Sequence, residues 1–373
     1  MNSIQVLELR NPPRHRPPCA YVVDDFHRPE VRELRERYRL DEKVTGAKDR
    51  FDALIRLSNW LGGLNQFGVP PERVPMNAFD IIEAIQKKGH HFECSYMPHA
   101  FSQIAHAMGY PTRLVWMGWN GEEREGGAHH QATEVWVDGL DKWVLVDALH
   151  RLHYERDGMP LSLLEVRRAG YENEHAGVHI LIGPDRWTIP FDPDTSPAKG
   201  DEVLQRVKEG KLRSPIPCAG MYFWCAALMQ NAYFANLHHN SESYYRVLVW
   251  RDRHNADKVW FQRCHEDRSV RFIHWIYWGA EKIDVWSPHR WEFPVNQVHV
   301  DWQQKADETL ELAFETTCPN FAHFEIVIDG NNATRHKHPW FTWRLHPGEN
   351  TFRVRTENLF GVRGTASELK ISL

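Results

Sequence analysis

Apolar and polar positions repeat with two different periods along the chain, and the change of period sets its organisation. Up to Gly109 the spacing is helical. In Arg28–Tyr38, Val31, Leu34 and Tyr38 share one face of a charged segment, which predicts a solvated amphipathic helix. Asp49–Leu61 carries a broader stripe of Phe51, Leu54, Ile55, Leu57, Ser58 and Leu61. Ala78–Lys87 turns Phe79, Ile82 and Ile85 inward, with Asn77 as its N-cap. After Cys94, the residues Met97, Ala100, Phe101, Ile104, Ala105 and Met108 keep the i, i+3, i+4 rule. Gly109 and Pro111 end that helix. Pro98 is best tolerated near a helix start, so the regular helix is expected to begin at or just after Cys94.

Beyond Pro111 the period falls to two. His130, Ala132, Glu134 and Trp136 share one face of a strand, and Trp143, Leu145 and Asp147 one face of the next. Asp138-Gly139 between them is the signal of a two-residue type I′ turn. That turn pairs Val137 with Leu140 and sets His130 opposite Asp147, with Cβ atoms roughly 4.5–5.5 Å apart. His129 then points to the other face. Leu161–Ala169 reads as a short helix, and 170–217 as a loop-rich lid or wrap holding Pro184, Pro190, Pro193, Pro197, Pro215 and Pro217. Tyr244–Arg251, Lys258–Arg263 and Phe272–Trp278 read as strands. From 292 on, Val298–Val300, Leu310–Phe314, Phe324–Asp329, Thr342–Leu345, Thr351–Thr356 and Glu368–Leu373 alternate, with turns at Asp329-Gly330 and Pro347-Gly348. This spacing predicts a separate β-sandwich. Residues 1–20, with Pro12, Pro13, Pro17 and Pro18, read as an extended arm or edge strand.

Composition narrows the classes. A chain of 373 residues is long enough for two or three domains with their own cores. The formal charge is −5 with no long basic run, so nucleic acid is not an expected partner. No run of about 18 apolar residues occurs, so neither a spanning helix nor a membrane partner is expected. The first ten residues lack a basic start and an apolar stretch, which points to the cytoplasm, or to secretion if a leader preceded them. The six cysteines, at 19, 94, 218, 225, 264 and 318, form no Cys-x-x-Cys pair, and reduced thiols are expected. The 23 His and 16 Trp are both high counts. Most are read as an aromatic β core with surface histidines, and an aromatic-lined groove for sugar or peptide is the sharper alternative. A metal set drawn from His90, His91, His129, His150 and His153 has no fixed-spacing motif behind it, so no metal and no cofactor is expected.

The candidate chemistry is therefore a thiol. Cys94 at a helix N-terminus is expected to favour thiolate, His130 to exchange its proton, and Asp147 to fix the imidazole tautomer. Three stretches carry a family resemblance: Cys94 followed by helix and Gly109-Tyr110-Pro111-Thr112-Arg113-Leu114-Val115, then His-x-x-x-Glu-Val at 130–135, then Trp-Val-x-Val-Asp at 143–147. Together, over roughly residues 45–155, they resemble the transglutaminase-like superfamily. The resemblance implies an α+β papain-like core of helices packed on an antiparallel sheet, and Cys94, His130 and Asp147 as its triad. The family often has an aromatic residue two positions after the His; here that position is Ala132. The final strands resemble immunoglobulin-like or fibronectin type III-like modules.

The expected layout is an N-terminal arm and helix (1–44), a catalytic domain with a loop-rich extension (45–217), a β-rich linker region (218–291) and a sandwich (292–373). The expected activity is thiol-dependent cleavage or transfer of an amide of a peptide, protein or glycopeptide. The alternatives are a non-enzymatic glycan- or protein-binding relic and a sugar-active enzyme using the His- and Trp-rich surface. The acidic loop from Asn120 to Gly127 is expected to keep the site wet. One oxyanion donor is expected from the Cys94 N–H, and Asn65 or Gln66 is a weaker candidate for the second.

Overall fold

The computed structural model describes residues 4–14, 16–118, 129–191, 222–234, 246–256 and 281–373. The acidic loop 120–127, the prolines from Pro193 to Pro217 and the strands expected at Lys258–Arg263 and Phe272–Trp278 lie outside them. The chain divides into two compact units: Pro18–Val137 with Trp143–Trp291, and Met1–Pro17 with Asp138–Lys142 and Glu292–Leu373.

The first unit is α+β, with helices packed on a mainly antiparallel sheet. Helix Arg50–Leu64 is capped by Asp49, whose carboxylate accepts from Asp52 N. Helix Ala78–Lys88 is capped by Asn77 and stopped by Gly89 in the left-handed region, φ 66°. Met97–Ala107 is buried along its whole length, so it forms the centre of the unit and not a surface helix. Thr133 Oγ1 donates to Pro98 O at 3.2 Å, and the Ser102 and Thr112 hydroxyls meet at 2.6 Å, which fixes this helix on the sheet.

The sheet runs in the order Glu281–Val285, Arg246–Trp250, Trp224–Leu228, Thr112–Gly118, His129–Val137, Lys142–Asp147, Leu152–Arg156, Val178–Ile182, Trp187–Pro190. Two strands, Val178–Ile182 and Trp187–Pro190, thus occupy part of the stretch expected to be loop. Helix Leu163–Tyr171 opens on a capping box formed by Ser162 and Glu165. Arg113 and Glu134 stand directly opposite each other on the two central strands. Both are fully buried, with Arg113 Nη2 2.6 Å from Glu134 Oε2. The guanidinium lies over Trp143 and donates to Trp291 O at 2.7 Å. Glu134 Oε1 accepts from Leu163 N at 2.8 Å, so no oxygen of the buried carboxylate is left unpaired.

The hairpin expected to close through Asp138-Gly139 closes differently. Residues 138–141 all lie outside the strands. Asp141 takes the left-handed conformation at φ 51°, whereas Gly139 has no positive φ and so cannot form a type I′ turn. Side chains hold the longer loop: Asn296 Nδ2 donates to Asp138 Oδ1 at 2.7 Å, and Thr365 Oγ1 to Asp141 Oδ1 at 2.7 Å. A loop of four residues in place of two shifts the pairing by an even number of positions. His130 and Asp147 therefore keep a common face.

The second unit is a β-sandwich. One sheet orders Gln5–Arg10, Ser367–Ser372, Glu349–Asn358, Phe321–Ile328, Thr334–His336, and the other Val298–Ala306, Thr309–Thr316, Trp340–Arg344. Val300, Leu310, Leu312 and Trp343 of the second sheet pack in one core with Phe324, Ile326, Phe352 and Leu369 of the first. Gln5–Arg10 is an edge strand of the first sheet.

Candidate active site

Cys94 lies in the turn that leads into helix Met97–Ala107, three residues before the helix begins. Tyr96 N and Met97 N both donate to Glu93 O, at 3.2 and 3.4 Å. Asn65 holds this turn in place. Its Nδ2 donates to Phe92 O and its Oδ1 accepts from Phe92 N, both at 2.9 Å. Gln66 O also accepts from Phe92 N, at 3.2 Å. Asn65 thus supports the backbone two residues before the thiol.

The imidazole and carboxylate come together as expected. His130 Nε2 and Asp147 Oδ2 are 2.6 Å apart, and both side chains are buried. Cys94 lies near this strand: the backbone N–H of Gln131, the residue after His130, acts on its thiol. His129, the neighbour on the other face of the strand, stands opposite Gly118.

A fourth residue completes the group. His150 Nδ1 is 2.8 Å from the same Oδ2 of Asp147, and His150 N donates to Oδ1 at 3.1 Å. The two rings lie 5.1 Å apart. Asp147 ends its strand and 148–150 form the turn after it, so a residue three positions on folds back over the carboxylate. Of the five histidines considered for a metal set, His150 is the one that reaches this group among the described residues. His153 is bound instead to Glu155, at 2.9 Å. The sequence signal for His150 was an Asp-x-x-His at a strand end, a pattern too short to single out from the sequence.

The electrostatics revise one expectation. Burial pushes the Cys94 thiol up to about 12. The carboxylates of Glu93 and Asp147 act in the same direction, against the N–H groups of Gln131 and of Cys94 itself. These surroundings favour the thiol, where a helix N-terminus had suggested thiolate. Burial is the main cause; in addition, Cys94 precedes the helix and sits beside Glu93, whose Oε2 lies 3.9 Å from the sulfur. For Asp147, burial works against the charge. The imidazoles of His150 and His130, with their hydrogen bonds, outweigh it and hold the carboxyl well below the usual carboxylate range. The arrangement offers a neutral thiol, an imidazole whose Nε2 is anchored, and a fixed anion behind it.

Residues 38–148 match the transglutaminase-like superfamily. The matched segment contains Cys94, His130 and Asp147. No curated protein matches the chain. Among solved structures, a candidate cysteine protease from Cytophaga hutchinsonii is similar at 14% identity and a TM-score of 0.26, over 33% of this chain and 40% of its own. Red sea bream transglutaminase is similar at 9% identity and a TM-score of 0.26, over 92% of this chain and 73% of its own. The chain thus spans well under half of the first of these, and likeness at this level fixes neither substrate nor reaction. No helix among the described residues is long and apolar enough to cross a membrane.

Proposed function

We propose that the protein hydrolyses an amide of a peptide, protein or glycopeptide through a thioester on Cys94. Cys94 Sγ bonds to the carbonyl carbon while His130 Nδ1 takes its proton. The tetrahedral adduct collapses, and the leaving amine departs with that proton. Water then attacks the thioester, giving its proton to His130, and the returning thiol takes it back. Asp147 keeps the other proton on Nε2, so that Nδ1 is the basic nitrogen. The Cys94 N–H serves as one oxyanion donor.

The observation that carries this reading is the buried 2.6 Å contact between His130 Nε2 and Asp147 Oδ2. It orients the imidazole within one residue of the Gln131 amide, whose N–H favours the ionised thiol. A resting thiol with a pKa near 12 needs such a base. Water is proposed as the acceptor because Ala132, buried on the His130 strand, supplies no aromatic wall to shield a thioester from solvent. The test is partition of the acyl-enzyme. A small ester or amide substrate is turned over with rising primary amine, and both products are counted. Acid product should dominate at millimolar amine. Dominance of the amide product would make the protein a transferase.

A further inference from the structure

We propose that His130, Asp147 and His150 form a regulatory site for a divalent cation of borderline softness, represented by Zn²⁺, whose binding switches the thiol chemistry off. The inhibitory half rests on the catalytic reading above; the metal site itself does not.

All three side chains are buried, and their ligand atoms lie within 4.8 Å of one another. Two imidazoles and one carboxylate are the donor types of open zinc sites, which keep a fourth position for water. The three residues sit on a strand, a strand end and the turn bonded to it, so they are presented by regular structure. The backbone bond from His150 N to Asp147 Oδ1 already sets the carboxylate in place. Zinc bonds of roughly 2.0–2.2 Å imply ligand separations of roughly 3.3–3.6 Å at a tetrahedral ion. The ring nitrogens now stand 2.6 and 2.8 Å from Oδ2, at hydrogen-bond range. Each ring must step back from Oδ2 by roughly 0.5–1.0 Å to admit the ion.

The consequence for catalysis follows from the tautomer. A ligating imidazole nitrogen carries no proton. With Nε2 of His130 on the metal, the ring's proton sits on Nδ1, the nitrogen assigned to take the proton of Cys94. The base is lost although the thiol, the fold and the substrate surface are untouched. His150 explains itself in this scheme: a triad needs one imidazole on its carboxylate, and this site has two.

The test uses metal-free full-length protein titrated with ZnCl₂ against a chromogenic chelator. Wild type should take up one Zn²⁺ per chain. Cys94→Ala, which cannot turn over substrate, should bind within about threefold of wild type, because sulfur is not a ligand. His150→Gln should bind at least about a hundredfold more weakly. Alkylation of Cys94 by iodoacetamide should slow as the wild-type site fills and stay unchanged in His150→Gln at the same Zn²⁺. Co²⁺-loaded wild type, which does not depend on a variant folding, should show ligand-field bands and no sulfur charge-transfer band. Absence of stoichiometric binding, binding that vanishes in Cys94→Ala, a sulfur band, or unchanged binding in His150→Gln would each overturn the site. The two readings fail separately. Zn²⁺ bound by Cys94→Ala without any His130-dependent thiol reactivity sinks the triad alone. His130-dependent alkylation indifferent to Zn²⁺ sinks the metal site alone. Turnover that requires the metal would overturn its inhibitory role and the thiol mechanism together.

Discussion

Asp147→Asn is the sharpest perturbation of the site because it changes charge without changing size. Oδ2 accepts from two imidazoles, at 2.6 and 2.8 Å, and Oδ1 from the His150 N–H at 3.1 Å. An amide has one oxygen for these two positions. If its oxygen replaces Oδ2, its NH₂ faces the His150 N–H, donor against donor. If it turns over, the NH₂ faces both rings, and His130 must move its proton to Nδ1, where it no longer acts as a base toward Cys94. In either pose the anion that balances a protonated His130 is gone. General-base catalysis of this kind contributes about 10²–10⁴. At 1.36 kcal/mol per tenfold, that is ~3–5 kcal/mol of transition-state stabilisation. Stability should fall by ~1–3 kcal/mol, since charged hydrogen bonds are lost while the cost of burying the anion is relieved. The assay is kcat and KM on a fluorogenic peptide amide beside the melting temperature. The expected outcome is a fall of at least a hundredfold in kcat with KM little moved. A folded variant within tenfold of wild type would refute the orienting role of Asp147.

Three further outcomes follow from the same geometry. His129→Ala should retain kcat within about twofold while His130→Ala loses catalysis, since His130 is the residue on Asp147; the reverse order of effects would put the strand out of register by one residue. In His130→Ala, iodoacetamide alkylation of Cys94 should rise about tenfold per pH unit from about pH 7 to 10 without levelling, because the thiolate is a minority at every pH below a raised pKa of about 12; a plateau in the neutral range would mean a stable thiolate. Arg113→Leu should cost ~3–5 kcal/mol in denaturant unfolding by leaving Glu134 charged and unpaired in the core, and adding Glu134→Leu should recover part of that loss.

Local signals predicted the helices and the shared face of His130 and Asp147. Asn77 is a cap in both sequence and structure, and the stripe after Cys94 is the buried helix Met97–Ala107. These features depend on residues a few positions apart. The departures depend on distant ones. Asp138-Gly139 is a strong hairpin signal, and it was overridden by side-chain bonds from Asn296 and Thr365. The thiolate expectation rested on a helix that begins at or just after Cys94. The start is moved to Met97 by a turn that Asn65 pins from well upstream. His150 was visible only as one of five histidines in a weak candidate metal set, because its role depends on how the turn after Asp147 folds back. Even spacing made the common face of His130 and Asp147 robust: a two-residue change of loop shifts the pairing but preserves parity, so the shared face survived an incorrect turn.

The central claim is that Cys94 is the nucleophile and that His130 activates it. Rapid acid quench of an ester or amide substrate in turnover, followed by peptide mapping by mass spectrometry, tests both parts at once. The acyl group should be found on the peptide carrying Cys94 in wild type, and should fail to accumulate on the same timescale in His130→Ala. Turnover with the acyl group on another residue, or equal acylation of Cys94 in the two proteins, would contradict the account.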